Sequence, residues 1–410
     1  MFNDIKERSN PPKASATFKT PEQTAAAEGK INPAVEMVDL DEIPKKIEKR
    51  IGFRRLINFR KLSKKNKIIF AVILVIILGL AGWLAYKHYH HHVTKPAVAK
   101  VIISIPVSKT VPSTLSGLQV DPSINQLPVT GVMVENEIAA RPQSGLDQAG
   151  VVFEALAEGG ITRFIALYQD TQPSYIGPIR SARPYYVSWC MGFDCDYAHV
   201  GGSPDALNDI TAWGTKDLNE FYNGGAYQRI TSRAAPHNVY SSISNLNTLE
   251  GTKGYSHSNF QGFPRKVATP LKVPTTTSIS LNLGTPDYNA SYAYNATTNV
   301  YTRSQAGLPM TNIDASGTAV QIAPKVVIAI IVPFSLGALD SSNAYYSNYM
   351  VIGSGAAYVF QDGGVTIGTW QKTSNTTQIT FSDAQGQSLK LDSGQTWITA
   401  LTTSSDLVYK

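Results

Sequence analysis

ARPQSGLDQAGVVFEALAEGGITRF occupies residues 140–164, and IGPIRSARPYY (176–186) and HVGGSP (199–204) follow it. Within these stretches VVFEAL (151–156) and ITRFIALYQ (161–169) are rich in β-branched and aromatic residues and bounded by glycine, which predicts strands. GVMVEN (131–136) and YAHV (197–200) read the same way. Between them SARPYYVSW and SPDALNDITAWG predict helices, the second with Ser203 as N-cap, Pro204 at the first helical position and Gly214 as its stop. Working outward, these elements define a mixed α/β domain over residues 115–270.

Beyond residue 275 the character changes. Asn, Thr, Ser and Gly dominate, and short runs recur: NVYTRSQ, KVVIAIIVPF, AAYVFQDGGVTIGTWQK, TQITF and SLKLDSGQTWITAL. Asp362-Gly363-Gly364 and Asp392-Ser393-Gly394 are turn signals between them. The expectation is a smaller β-rich C-terminal domain over 285–405 with a core separate from the first. It is poor in catalytic-type residues and so reads as support or partner contact.

Upstream, residues 68–86 (IIFAVILVIILGLAGWLAY) form a run of 19 without a charge. As a helix it spans about 28 Å, close to a bilayer's hydrocarbon thickness. It starts too late for a signal peptide and runs into Trp83, Tyr86 and Tyr89, so it reads as an uncleaved single transmembrane helix. Residues 45–67 carry 11 Lys/Arg and one acid, which keeps residues 1–67 in the cytoplasm and everything after the span outside. Residues 1–44 are polar and aperiodic and predict a disordered tail, while 87–114 read as a stalk. The basic segment is either an interfacial amphipathic helix or a solvated flank, and HYHHH (88–92) is an interfacial polar flank.

The tail also explains the net charge of +6: residues 1–67 hold 16 Lys/Arg against 9 Asp/Glu, leaving 20 against 21 for the rest. A nucleic-acid-binding ectodomain would carry its own basic excess, so no nucleic acid is expected as a partner. Cys190 and Cys195 are the only cysteines, and export permits a disulfide across the short loop between them. No metal-ligand pattern, cofactor fingerprint or hydrolase elbow is present, so no cofactor is expected.

Candidate chemistry concentrates in the first domain. Residues 115–255 contain six arginines (Arg141, Arg163, Arg180, Arg183, Arg229, Arg233) and two lysines. The planar guanidinium fork fits carboxylate or phosphate, which makes these arginines either ligand-holding groups or members of buried ion pairs. His199, Gly201, Gly202 and Ser203 set a strand, two glycines and a capped helix start in succession, an anion-binding arrangement or an ordinary tight turn. Glu154 and Glu158 bracket a strand end near Arg163 and are candidate general acids or bases, or salt-bridge partners. His237, between Pro236 and Asn238, can shuttle a proton or tie a loop together.

ARPQSGLDQAGVVFEALAEGGITRF, IGPIRSARPYY, HVGGSPDAL and APHNVY (235–240), with GTWQK and GQTWI further on, resemble the YerB-like lipoprotein family of bacterial cell envelopes, a two-part domain of unknown function. The resemblance covers about 115–402. It implies a two-domain ectodomain and carries the family's signature onto Arg141, Glu154, Glu158, Arg163, Arg180, Arg183, His199, Ser203, Arg233, His237 and Asn238. Many relatives are lipid-anchored through an N-terminal cysteine; this chain has none before Cys190 and offers the apolar span instead.

The functional expectation is an extracytoplasmic protein, anchored in the cell membrane, that binds an anionic or glycan wall component through an Arg-rich cleft. Its ligand-binding set is Arg141, Arg163, Arg180, Ser181, Arg183, His199, Gly201, Gly202, Ser203, Arg229, Arg233 and Asn238; its partners are peptidoglycan or a lipid-linked wall precursor. One alternative is a wall-modifying enzyme that cleaves glycan or transfers a phosphoryl-linked glycan, with Glu154, Glu158 and His237 as catalytic residues. Another is a structural partner of envelope proteins that build the wall.

Overall fold

The computed structural model describes residues 63–92 and 109–410, so the readings made for 1–62 and most of the stalk lie outside the described residues. The chain divides into two units, 1–102 and 103–410. In the first, helix α1 (Lys64–His92) includes a 27-residue stretch, Lys64–His90, long and apolar enough to cross a membrane. Its described side chains are exposed all round, and HYHHH continues the helix to its end.

The second unit is built on one nine-stranded mixed sheet. In chain order the strands used below are β1 (Thr130–Glu135), β2 (Val151–Leu156), β3 (Thr162–Tyr168), β4 (Asp196–Ala198), β5 (Ser278–Leu281), β6 (Ala290–Asn295), β7 (Val300–Gln305), β8 (Leu308–Pro309), β9 (Val326–Ile331), β10 (Phe334–Leu339), β11 (Tyr345–Tyr349), β12 (Gly353–Gln361), β13 (Gly364–Lys372), β14 (Thr380–Asp383), β15 (Thr396–Leu401) and β16 (Leu407–Tyr409). The large sheet runs β14-β13-β12-β9-β15-β2-β3-β1-β4, and a five-stranded sheet runs β8-β7-β6-β5-β16. Helices α2 (Pro184–Met191) and α3 (Pro204–Ala212) cover one face of the large sheet; the five-stranded sheet and α4 (Ile243–Lys253) cover the other.

The expected strands and helices of the first part are all present within two residues, except that the helix expected from Ser181 starts at Pro184, and Ser203 caps α3 through Ala206 N. Asp362 and Gly363, both at positive φ, form the two-residue turn between β12 and β13. Asp392-Ser393-Gly394 also turns the chain, but its flanking strands join different sheets. The α/β part and the β-rich part are both there, yet the expected separate cores are not. β15, from the C-terminal end, lies between β9 and β2 and pairs parallel with each, Trp397 opposite Val152 and Val327. Each apolar cluster therefore draws on both parts: Phe153, Ile165 and Trp189 with Ile328 and Ile398 on the helix face, Val152, Phe164 and Ala166 with Tyr292 and Trp397 on the other.

Strand alternation decides what faces where. Met133, Phe153 and Ile165 point to the helices, where Phe153 stacks on Trp189 at 4.9 Å between ring centroids. Cys190 and Cys195 are joined in a disulfide on the same side, packed against β1. A side chain at Gly131 would put its first carbon 2.6 Å from Cys195 Sγ, so the close approach of disulfide and strand requires glycine there.

Glu154, of opposite parity to Phe153, points between the two sheets. It and Arg303 are both fully buried, with Arg303 Nη2 donating to Glu154 Oε1 at 2.9 Å. Trp397 Nε1 donates to Glu154 Oε2 at 3.1 Å, Thr162 and Thr399 hydroxyls reach the carboxylate at 3.3 Å, and Arg303 also bonds Tyr292. A buried charge pair satisfied this fully is costly to halve. Glu154→Gln should lower unfolding stability by about 3–5 kcal/mol, and Glu154→Leu combined with Arg303→Met should recover most of it. Urea denaturation of the wild type and the two variants checks this; equal losses in the single and double variants would show that packing, not charge pairing, sets the cost.

Candidate functional site

At the end of β1, Glu135 sits opposite Arg163 of β3, with both side chains on the helix face of the sheet. Residues 178–180 run alongside: Glu135 N donates to Pro178 O at 2.9 Å and Arg180 N to Met133 O at 3.0 Å, which sets Arg180 beside Glu135. Arg183 occupies the N-cap position of α2. Glu158 lies in the β2–β3 turn, whose sharp reversal uses positive φ at Gly159 and Gly160. The β10–β11 hairpin docks on that turn through Ser347 N to Ala157 O at 2.7 Å and brings up Asp340, Ser341, Ser342 and Tyr346. With Glu137, Ser181, Gly202 and His237 these groups line a polar cleft of about 350 Å³.

Its charges are paired in two sets. Glu158, 13% exposed, accepts from Arg163 on one oxygen and Arg183 on the other. Burial alone would raise the Glu158 carboxyl, but the two guanidiniums outweigh it and hold it below its ordinary value. Burial and the like charge of Arg163 lower Arg183, which also lies over the Tyr346 ring at 5.0 Å. In the second set Glu135, 2% exposed, accepts from Arg180 Nε on Oε1 and faces His237 Nδ1 on Oε2, both at 2.9 Å. His237 Nε2 lies 3.9 Å from Glu137 Oε2, outside hydrogen-bond reach. Among the described residues the terminal nitrogens of Arg180 make no hydrogen bond.

The cleft thus gathers Glu158, Arg163, Arg180, Ser181, Arg183, Gly202 and His237 from the expected set. The others lie elsewhere. Glu154 is locked into the ion pair with Arg303, so it is removed as a general acid. Glu158 accepts from two guanidiniums, which favour its ionised form and weigh against the proton-donating role expected of it. His199 is fully buried, bonded to Gly201 O at 2.7 Å and Asp217 Oδ1 at 2.9 Å, and fixes a turn.

At the start of α3, where an anion site was expected, protein groups already take several of the N–H donors. Gly201 N donates to Asn219 Oδ1, Ser203 N to Ala182 O, and Ser203 Oγ caps Ala206 N. Arg229 pairs with Glu220 and Asn238, Asn238 Nδ2 also reaching Ile230 O; Arg233 holds Ala139 O and Pro142 O. Arg141 holds Asn136 O and covers Tyr288, lining a second cavity with Gln305 and Met310.

Sequence reasoning missed Glu135, Glu137 and the hairpin groups. Glu135 carried a signal, a carboxylate ending the apolar run GVMVE. Asp340 to Tyr346 carried none, since only tertiary structure brings them across some 180 residues to Glu158; the supposedly site-poor C-terminal part supplies one wall. The hairpin tip is preformed: Asp340 accepts from Ala344 N and Ser342 N at 2.8 Å, which holds its carboxyl below the ordinary value.

The comparisons with known proteins agree with this two-part construction. Residues 115–256 match the N-terminal domain, and residues 279–398 the C-terminal domain, of a protein of unknown function, DUF3048. A Bacillus subtilis (strain 168) protein, YerB, named as a lipoprotein, is 30% identical over 295 residues, covering 71% of this chain and 86% of its own length. The crystal structure of YerB from Bacillus subtilis superposes with a TM-score of 0.65 at 27% identity, over 73% of this chain and 99% of that one.

The Glu158 pairing has a pH signature. Its folded-state value lies below the ordinary 4.5, so its contribution is present above that pH and drains away as pH falls through the lower folded value. Glu158→Gln should lose about 3 kcal/mol of stability at neutral pH, and the gap to wild type should narrow only below the ordinary value. Denaturation at stepped pH reads this; a gap of constant size would mean that the negative charge is not what holds Arg163 and Arg183.

Proposed function

The chain belongs to the DUF3048 family of proteins of unknown function, and from that membership we propose that it is a membrane-anchored envelope protein whose cleft binds a glycan component of the cell wall. In this reading α1 is the anchor, the basic flank before it stays in the cytoplasm, and residues 103–410 work outside. The relative named as a lipoprotein supports an envelope setting, with a helix here serving where a lipid serves there.

One observation carries the ligand class: the cleft's arginines are already matched by carboxylates. Arg163 and Arg183 are spent on Glu158, and Arg180 is half-spent on Glu135, while Glu137 and Asp340 add further negative charge. A densely anionic polymer would meet little net attraction. A chain of hydroxyl and amide groups needs alternating donors and acceptors at close range, which Arg180, Glu137, Ser181, Ser341 and His237 can supply. That favours the glycan of peptidoglycan or of its lipid-linked precursor over a phosphate-rich polymer.

The test uses the full chain in detergent micelles with isolated peptidoglycan, read by sedimentation. Arg180→Ala should weaken binding by about tenfold or more, the worth of one or two charge-assisted hydrogen bonds. Arg229→Ala, whose partners lie outside the cleft, should bind as wild type. Equal binding by Arg180→Ala and wild type would rule out the cleft as the wall site.

A further inference from the structure

Resting on the reading of the cleft as a glycan site, we infer that it is also catalytic: His237 is the general base of a hydrolase that removes carboxylic ester substituents from hydroxyl groups of that polymer. The geometry is the starting point. Glu135, nearly fully buried at the end of β1, bridges Arg180 and His237 with 2.9 Å contacts on its two oxygens. A carboxylate on Nδ1 fixes the imidazole's orientation and places the proton there, leaving Nε2 as the free acceptor. Nε2 makes no hydrogen bond among the described residues, and its ring lines the cleft. Arg180 completes the set, since the carboxylate that orients the base also holds Arg180 by Nε and leaves its terminal nitrogens open.

The balance of charge selects the reaction. Glycosidic cleavage needs a carboxylic acid able to donate a proton, and the cleft's best-placed candidate, Glu158, is held ionised by two guanidiniums. A phosphate ester would bring permanent negative charge to a cleft whose four carboxylates, Glu135, Glu137, Glu158 and Asp340, already outnumber its three guanidiniums, and among the described residues only Arg180 of those three has terminal nitrogens without a hydrogen bond. A neutral carboxylic ester brings none until the transition state, when a single oxyanion forms, and Arg180 matches that one charge.

In the step, water attacks the ester carbonyl carbon while His237 Nε2 takes its proton. The new C–O bond forms as the carbonyl electrons move to an oxyanion facing Arg180, and Glu135 stabilises the imidazolium. The oxyanion then collapses, the bond to the sugar oxygen breaks, and His237 returns the proton to that oxygen. A carboxylic acid and a free hydroxyl leave. His237 and Arg180 act on the reacting atoms; Glu135 is a positioning residue.

The full chain in micelles, given O-acetylated peptidoglycan, should release acetate, measured enzymatically, with sedimentation of the protein followed in parallel. His237→Ala should release acetate at least about 100-fold more slowly, the usual scale of general-base catalysis, a loss far larger than any change in its sedimentation with the wall. Glu135→Gln should lower kcat with KM little changed, which distinguishes orientation of the base from loss of fold. Sedimentation with acetate release no faster than that of His237→Ala overturns the ester chemistry and leaves wall binding standing. Acetate release from 4-nitrophenyl acetate that depends on His237, without sedimentation, keeps the chemistry and overturns the glycan reading; neither signal overturns both.

Discussion

The seating of β15 between β2 and β9 is the constraint on which the rest of this fold depends. A strand from the last sixteen residues completes a sheet whose other members come from both family domains, and it does so by parallel pairing on each side. Parallel strands are stable when both faces are covered, which helices α2 and α3 and the five-stranded sheet provide here. The two parts that are distinct as sequence segments thereby share one sheet and both apolar clusters.

From that sheet the cleft follows by parity. Glu135 and Arg163 lie on the helix face at the strand ends, where they line the cleft, while Glu154 lies on the opposite face and accepts from Trp397 Nε1. Two carboxylates four residues apart, Glu154 and Glu158, thus meet opposite environments: one closes a core ion pair with Arg303, the other organises two guanidiniums at a cleft wall. The β10–β11 hairpin can form the facing wall only because β9, which precedes it, is tied to β15 and so to β2.

The electrostatics are a consequence of burial. Guanidiniums that sink into a sheet end must be met by carboxylates, because an unpaired charge there is too costly. The abundance of arginine in the first part is therefore largely structural: Arg163 and Arg183 meet Glu158, Arg229 meets Glu220, and Arg141 and Arg233 hold backbone carbonyls. Arg180 differs in keeping its terminal donors open, and it shares its carboxylate with the imidazole.

What the sequence determined by itself was local. The apolar runs VVFEAL and ITRFIALYQ became β2 and β3, the Ser203-Pro204 start and Gly214 stop framed α3, Asp362-Gly363 turned a hairpin, and residues 68–86 formed an apolar helix, because periodicity, capping and turn chemistry are encoded within a few neighbours. Arg180, Arg183, Glu158 and His237 were also legible as polar groups in otherwise apolar or rigid surroundings. Which of them share a cleft was not, because strand register and β15's path decide it over long separations. Tertiary structure alone removed Glu154 and His199 into the interior, and recruited Glu135 and the Asp340 hairpin, since a charged side chain's partner is set by what packs beside it and not by its neighbours in sequence.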